Sequence, residues 1–357
     1  MHSLQKQSRS PGIETPINNG VIRSGFRRLR ATGDRLTGGG LRALARRVAH
    51  HFSRNEKLVT ASEGQSTNQS SGKLSPEFDA AHYRRLYSDL AQMSDGELYN
   101  HWVTFGISEG RVASSAATRE NFVSSIPRGE PALEIGPFCN PCLVGEHVRY
   151  FDVLDKAGLV ARANAIGSDN SRVPSIDFVS PDGDLSIVPG TFPNVFSSHC
   201  IEHQPDLVYH LNQVARLLRK SGFYFLIVPD KRYCFDHFLP ESTIADVIDA
   251  YLVRRTAHTA RSIIEHRALT THNEPLRHWQ GEHGIPSQDV GKIRAALVET
   301  ESSQGKYVDV HAWQFTPRSF RTTMNTINDL GLAPLRPVRV YETPFGRCEF
   351  CAVLGSL

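Results

Sequence analysis

The chain has 357 residues, of which 39% are hydrophobic and 22% charged, with a formal net charge of +3. That is enough for one full α/β domain and a smaller module. No run of about 18 apolar residues occurs, so a transmembrane helix is not expected. The opening MHSLQKQSRSPG has no apolar core before a small-residue cleavage site, so a secretory signal is not expected either, and a cytoplasmic location is.

Charge divides the chain. Met1–Thr60 holds 12 Lys/Arg against 3 Asp/Glu, so the modest overall value hides a basic arm on an acidic body. Nucleic acid is not an expected partner, because the arm lacks interleaved aromatics and the body is acidic. Within the arm, Leu41, Leu44, Val48 and Phe52 share one helical face, and Arg42, Arg46 and Arg47 lie off it. A basic amphipathic helix can lie on anionic lipid, which allows peripheral membrane contact through residues 41–57. A disordered arm that is only transiently helical is the alternative. Ala61–Ser75, rich in Ser, Gln and Gly, reads as a flexible linker, so residues 1–75 are assigned to arm and linker.

Residues 76–127 change character. Tyr83, Leu86, Tyr87 and Leu90 have helical spacing, as do Leu98, His101, Trp102 and Phe105. Ser94-Asp95 caps the second helix and Gly106 is expected to stop it. The segment YSDL and the closing GISEGR resemble a short module found beside sugar-modifying domains in bacterial proteins. That resemblance implies docking or glycan contact; a packing element is the plainer alternative.

From residue 128 to 357, strands alternate with helical stretches, which predicts a parallel sheet. Pro131–Asn140, PALEIGPFCN, reads as a strand running into a Gly136-Pro137 turn. Asp152 follows at the tip of the next apolar run, 18 positions after Glu134. A glycine turn followed about 20 residues later by a strand-end acid is where doubly wound folds hold a ribose. Val195–His203 (VFSSHCIEH) ends a further strand with polar residues, and Phe223–Asp230 is another apolar strand. Glu202–Lys220 and Ile244–Ile264 have helical patterns. Lys231–Asp309 is long for a connection and is expected to form a lid at about 231–309. Thr316 caps a helix with Pro317 at its first position. Val338–Tyr341 and Glu349–Leu354 form a terminal hairpin.

The order LEIGP, YFD, SSHCIEH, LLRKSGFYFLIVPDKR resembles class I S-adenosylmethionine-dependent methyltransferases, in the branch with an EIGP first motif (type 11-like). The resemblance covers roughly Arg128–Leu357. It implies a doubly wound, mostly parallel seven-stranded α/β sheet preceded by the small helical module, with S-adenosyl-L-methionine as cofactor. Carried over, the cofactor-binding residues are Glu134, Ile135, Gly136, Pro137, Asp152, Asp182 and Ser198. The implied activity is methyl transfer to a small-molecule or carbohydrate acceptor, with oxygen favoured by the abundance of histidine. Three departures stand out: Phe138 where the family has a second glycine, Pro193-Asn194 before the fourth strand, and Ser221-Gly222-Phe223 before the fifth. Phe138 opens the alternative of a non-catalytic methyltransferase-fold scaffold in glycan assembly.

Methyl transfer to a hydroxyl needs a group that accepts its proton. His199, His203 and His311 are the candidates, with Glu202 expected to cap the following helix. Asp230-Lys231-Arg232-Tyr233 either contacts an acceptor or is a solvated turn. Among the 16 histidines, His237, His258, His266, His272, His278 and His283 fall in the insertion and are expected to face a hydroxylated substrate. No metal site is expected: Gly281 interrupts the closest set, His278–His283. The two C-x-x-C pairs (Cys139/Cys142 in the turn and Cys348/Cys351 in the last strand) read as buried, reduced thiols rather than a shared zinc site, since in the second pair strand residues three apart point to opposite faces.

Overall fold

The computed structural model describes residues 74–286 and 288–356. The basic arm, the 41–57 segment and nearly all of the linker lie outside the described residues. Among the described residues, no helix is long and apolar enough to cross a membrane.

The first described elements make a small helical unit. Asp79 caps α1 (Ala80–Leu86) by accepting from the His82 amide. Ser94 and Glu97 form a reciprocal capping box on α2 (Asp95–His101). Tyr83, Leu90, Leu98 and Trp102 close a private core. Gly106 does not stop this helix. The chain continues through a π-helical turn, Trp102–Gly106, with Ile107 still right-handed. Gly106 is required by packing instead, since a Cβ there would lie 2.3 Å from the Tyr83 hydroxyl. The turn comes at Gly110, whose φ is 68°. Next, α3 (Arg119–Ser125) turns away from this unit. Its Phe122, with Ala116, Ala117 and Ile126, joins the core of the sheet.

The sheet has seven strands in the order β3-β2-β1-β4-β5-β7-β6. They are β1 (Ala132–Ile135), β2 (Val148–Asp152), β3 (Phe178–Val179), β4 (Phe192–Ser198), β5 (Leu218–Pro229), β6 (Leu335–Val340) and β7 (Glu349–Ser356). β1 to β5 run parallel, and β7 inserts antiparallel between β5 and β6. The expected doubly wound, mostly parallel sheet is therefore the observed one. Strands buried on both faces read as continuous apolar runs, as the FYFLIV run of β5, Phe223–Val228, does. Two packed cores result, one on each face. Strand order reverses at β1, whose neighbours are β2 and β4, and such a switch point opens a crevice at the carboxyl ends of the strands.

The helices flanking the sheet are α4 (Lys156–Ala165), α5 (Leu207–Leu217), α6 (Ile244–Leu252), α7 (Ala260–Ala268), α8 (Pro275–Trp279), α9 (Val290–Ser303) and α10 (Pro317–Asp329). Two expected helices are shorter than their apolar periodicity. The 202–220 pattern resolves into a single 3₁₀ turn, Ile201–His203, and then α5, whose N-cap is Asp206 accepting from Tyr209. Pro205 has no amide to donate, and Asp206 offers the backbone a better cap. Leu218 already belongs to β5. The 244–264 pattern breaks into α6 and α7, with Arg254 at φ 50° between them and Thr259 capping anew. Thr316 and Pro317 start α10 as expected, with a capping box to Ser319.

Candidate functional site at the carboxyl ends of the central strands

A cavity of about 270 Å³ opens at the switch point. Its walls come from the ends of β1, β2 and β4, from α4, and from the last stretch of the insertion. Ile135 and Gly136 line it, as do Asp152, His199 and His203. Gly136 takes φ 70°, a conformation that glycine reaches without cost. Phe138 occupies the same left-handed region at φ 46°, although it carries a full side chain. Its ring forms part of the cavity wall beneath the Arg162 guanidinium, 5.7 Å away. The turn keeps the shape a second glycine would give it, at a cost of about 1 kcal/mol.

Asp152 is 7% exposed and its Oδ1 accepts from the amides of Val153 and Leu154. Burial raises its pKa above the usual carboxylate range, against the pull of those amides. Glu134 has a different place. Its two oxygens accept from Cys142 and Leu143, at 2.9 and 2.8 Å, so it braces the loop after Gly136 from beneath. Burial pushes its carboxyl up to about 7. Pro137 is buried within that loop. Asp182 is exposed; its neighbour Gly183 reaches the cavity. Ser198 accepts a hydrogen bond from Arg119.

His199 sits at φ 50° directly after β4, its side chain 37% exposed. Nε2 is 2.6 Å from Glu349 Oε2, and Arg119 binds the same carboxylate through two nitrogens. Burial alone would raise the Glu349 carboxyl, but the hydrogen bonds from His199 and Arg119 hold it down to about 2. It is therefore a permanent anion behind His199. Glu202 is not a helix cap: it is fully buried in the 3₁₀ turn, with its carbonyl accepting from Ala312 and Trp313. This stitches His311 beside His203, with ring centroids 4.7 Å apart. His311 itself is buried and bonded to Asp236 at 2.6 Å.

The insertion supplies Tyr307 and Asp309 to the cavity wall. Asp309 pairs with Arg162, and the Tyr307 hydroxyl donates to it at 3.2 Å. Against burial, His203 and Arg162 hold Asp309 well below the carboxylate range. Of the other insertion histidines, His237, His266, His272 and His283 are half-buried. His258 and His278 are buried, and His237 stacks on His283 with centroids 3.8 Å apart. The 230–233 segment is neither a solvated turn nor a cavity wall. Asp230 is fully buried, held by Arg232 and the Thr343 hydroxyl, and Tyr233 stacks on Trp279. Arg119, Arg162, His210, Tyr307, Asp309 and Glu349 have no local sequence signature that marks them. All six cysteines are free, and none joins a metal-ligand cluster among the described residues.

No family model matches the sequence, and no curated protein matches it. Among solved structures, the chain is similar to the CcbJ methyltransferase from Streptomyces caelestis. The two share 12% identity over 70% of this chain and 95% of that one, with a TM-score of 0.35. It is similar also to the mitomycin 7-O-methyltransferase MmcR, at 12% identity over 76% of this chain and 60% of that one, TM-score 0.32. A third likeness, to the glycopeptide N-methyltransferase MtfA, covers 31% of this chain and 47% of that one at 15% identity, TM-score 0.24. Overlaps this loose assign no reaction, and the chemistry rests on the cavity's own residues.

Proposed function

We propose that the chain is an S-adenosylmethionine-dependent methyltransferase whose acceptor is a small molecule or a sugar, methylated at oxygen. The observation that carries this is Asp152. It is a buried carboxylate at the carboxyl end of β2, lining with Gly136 a cavity at the switch point of the sheet. A carboxylate there has acceptor capacity beyond the amides of Val153, Leu154 and Phe138, and vicinal ribose hydroxyls fit it. Leu159, Ile166 and Leu185 give the same cavity an apolar wall suited to a nucleobase. Phe138, the feature that favoured a non-catalytic scaffold, adopts the glycine conformation and leaves the cavity open behind it.

When bound, S-adenosylmethionine supplies an electrophilic methyl carbon. The protein's part is to orient the acceptor, exclude water and take the hydroxyl proton. His199 suits the last task. With its Nε2 hydrogen given to Glu349, Nδ1 is the basic nitrogen and accepts the proton there. The resulting imidazolium lies between the carboxylates of Glu349 and Glu202, the latter 3.6 Å from Nδ1.

Calorimetric titration of the full chain with S-adenosylmethionine and S-adenosylhomocysteine tests the cofactor. Micromolar binding is expected, weakened at least about tenfold by Asp152→Ala, the loss of one or two charge-assisted hydrogen bonds. His199→Ala should bind the cofactor as before while turnover falls roughly a hundredfold. A folded protein that binds neither compound overturns the proposal.

A further inference from the structure

Glu202 is the most anomalous side chain among the described residues. It is fully buried, and neither carboxylate oxygen has a hydrogen-bond partner among the described residues. An unpaired buried carboxylate costs several kcal/mol, so something must compensate it. Around its Oε1 stand imidazole nitrogens: His203 Nε2 at 3.8 Å, His311 Nε2 at 3.9 Å and His199 Nδ1 at 3.6 Å. These separations are too long for hydrogen bonds, which an imidazolium would draw in to about 2.8 Å. The rings of His203 and His311 are perpendicular, at 89°.

The far side of each ring is also arranged. His311 Nδ1 is 2.6 Å from Asp236, and His203 Nδ1 is 3.0 Å from Asp309. A carboxylate beside Nδ1 fixes the proton there and turns the Nε2 lone pair outward, which is how metal-binding histidines are held. For His311 that bond is made, and its Nε2 stands 3.9 Å from Glu202 Oε1; His203 approaches Asp309 without hydrogen-bond geometry at Nδ1, and its Nε2 stands 3.8 Å from the same Glu202 oxygen. The three ligand atoms of Glu202, His203 and His311 all lie within 4.8 Å of one another. Ligands at about 2.1 Å from a shared ion are roughly 3 to 3.4 Å apart, so the set closes on an ion by drawing in between about half and one and a half ångströms.

We infer that Glu202, His203 and His311 form a binding site for a divalent first-row transition metal ion. Two imidazoles and one carboxylate suit zinc, manganese, iron or cobalt better than magnesium or calcium, and they occupy one side of the ion. His203 and His199 line the cavity, so the open coordination positions face it. There the ion takes an acceptor hydroxyl and lowers its pKa; this role, unlike the site itself, rests on the methyltransferase reading. Two other groups compete among the described residues, His237–His278–His283 and Asp236–His266–His311. Their donor atoms are already engaged: His278 Nδ1 meets His283 Nδ1 at 3.1 Å and its Nε2 the His272 carbonyl, while His311 Nδ1 is bonded to Asp236 and His266 Nδ1 accepts from the His311 amide.

The test is calorimetric titration of the chelator-treated full chain with zinc chloride and manganese chloride. Cobalt absorption spectra serve as a second readout of ligand type. One ion per chain is expected, with affinity reduced at least about a hundredfold in Glu202→Gln and in His311→Ala and unchanged in His278→Ala. No stoichiometric binding, or binding lost only in His278→Ala, overturns the inference. S-adenosylhomocysteine titration of the same proteins separates the two proposals. Metal binding without cofactor binding leaves the site standing and removes the methyltransferase.

Discussion

Glu349 shows how a single carboxylate can organise a site. It sits between the Arg119 guanidinium and the His199 imidazole, and it is kept ionised down to about 2 by their hydrogen bonds, against the upward pull of burial. A carboxyl whose folded pKa lies below its unfolded value of 4.5 stabilises the protein above that value, and the contribution is lost as pH falls through about 2. The difference corresponds to about 3 kcal/mol. Glu349→Gln should therefore be less stable than the parent in urea near neutral pH, and the gap should narrow between about 4.5 and 2. A residue of it will persist, because Arg119 is left partly buried without its partner. A gap independent of pH would show that Glu349 carries no such charge interaction. Sequence alone exposes Gly136 and Asp152, because a turn glycine and a strand-end acid are local features of the chain. It does not expose Glu349 and Arg119, which lie 230 positions apart and meet only when β7 inserts beside β5. Glu134 shows the converse: its position in the motif was plain, but only folding turns its carboxylate onto the loop amides.

At the scale of elements, helix starts were legible wherever a side chain caps them. Ser94 with Glu97, and Thr316 with Ser319, each satisfy amides that the helix itself leaves free. Helix extents were less legible, because apolar spacing runs on where the backbone stops. Leu217 and Leu218 satisfy the period of a helix and the opening of a buried strand equally well. The break before α5 is decided by Pro205 and Asp206. Asp206 is 6% exposed and its carboxylate accepts from the Tyr209 amide at 2.9 Å. Asp206→Ala should cost about 1 to 2 kcal/mol in chemical denaturation. Asp206→Ser, which keeps a capping oxygen, should recover most of it. Equal losses in the two variants would mean that the aspartate serves packing rather than the cap.

For the whole molecule, the alternation of strands and helices and the terminal hairpin were enough to anticipate the sheet, since those patterns are written in periods of two and 3.6. The burial of His258 and His278 was not. Imidazoles are compact enough to be buried uncharged, and what surrounds them, as Asp236 does His311, is set by tertiary contact. The same holds for the segment before the sheet. The aromatics of residues 78–102 close a core of their own, yet Phe122 is 1% exposed between Phe225 of β5 and Tyr341 after β6. α3 thus belongs mechanically to the sheet and also carries Arg119 to the site. Phe122→Ala should destabilise the protein by about 3 to 5 kcal/mol. If the sheet and α3 unfold as one unit, near-ultraviolet signals and far-ultraviolet helix signals should shift together to lower denaturant. S-adenosylhomocysteine, if it binds at the cavity, should then stabilise that same transition by mass action. Two separated transitions, with the ligand acting only on the unshifted one, would mean that α3 merely leans on a sheet that folds without it.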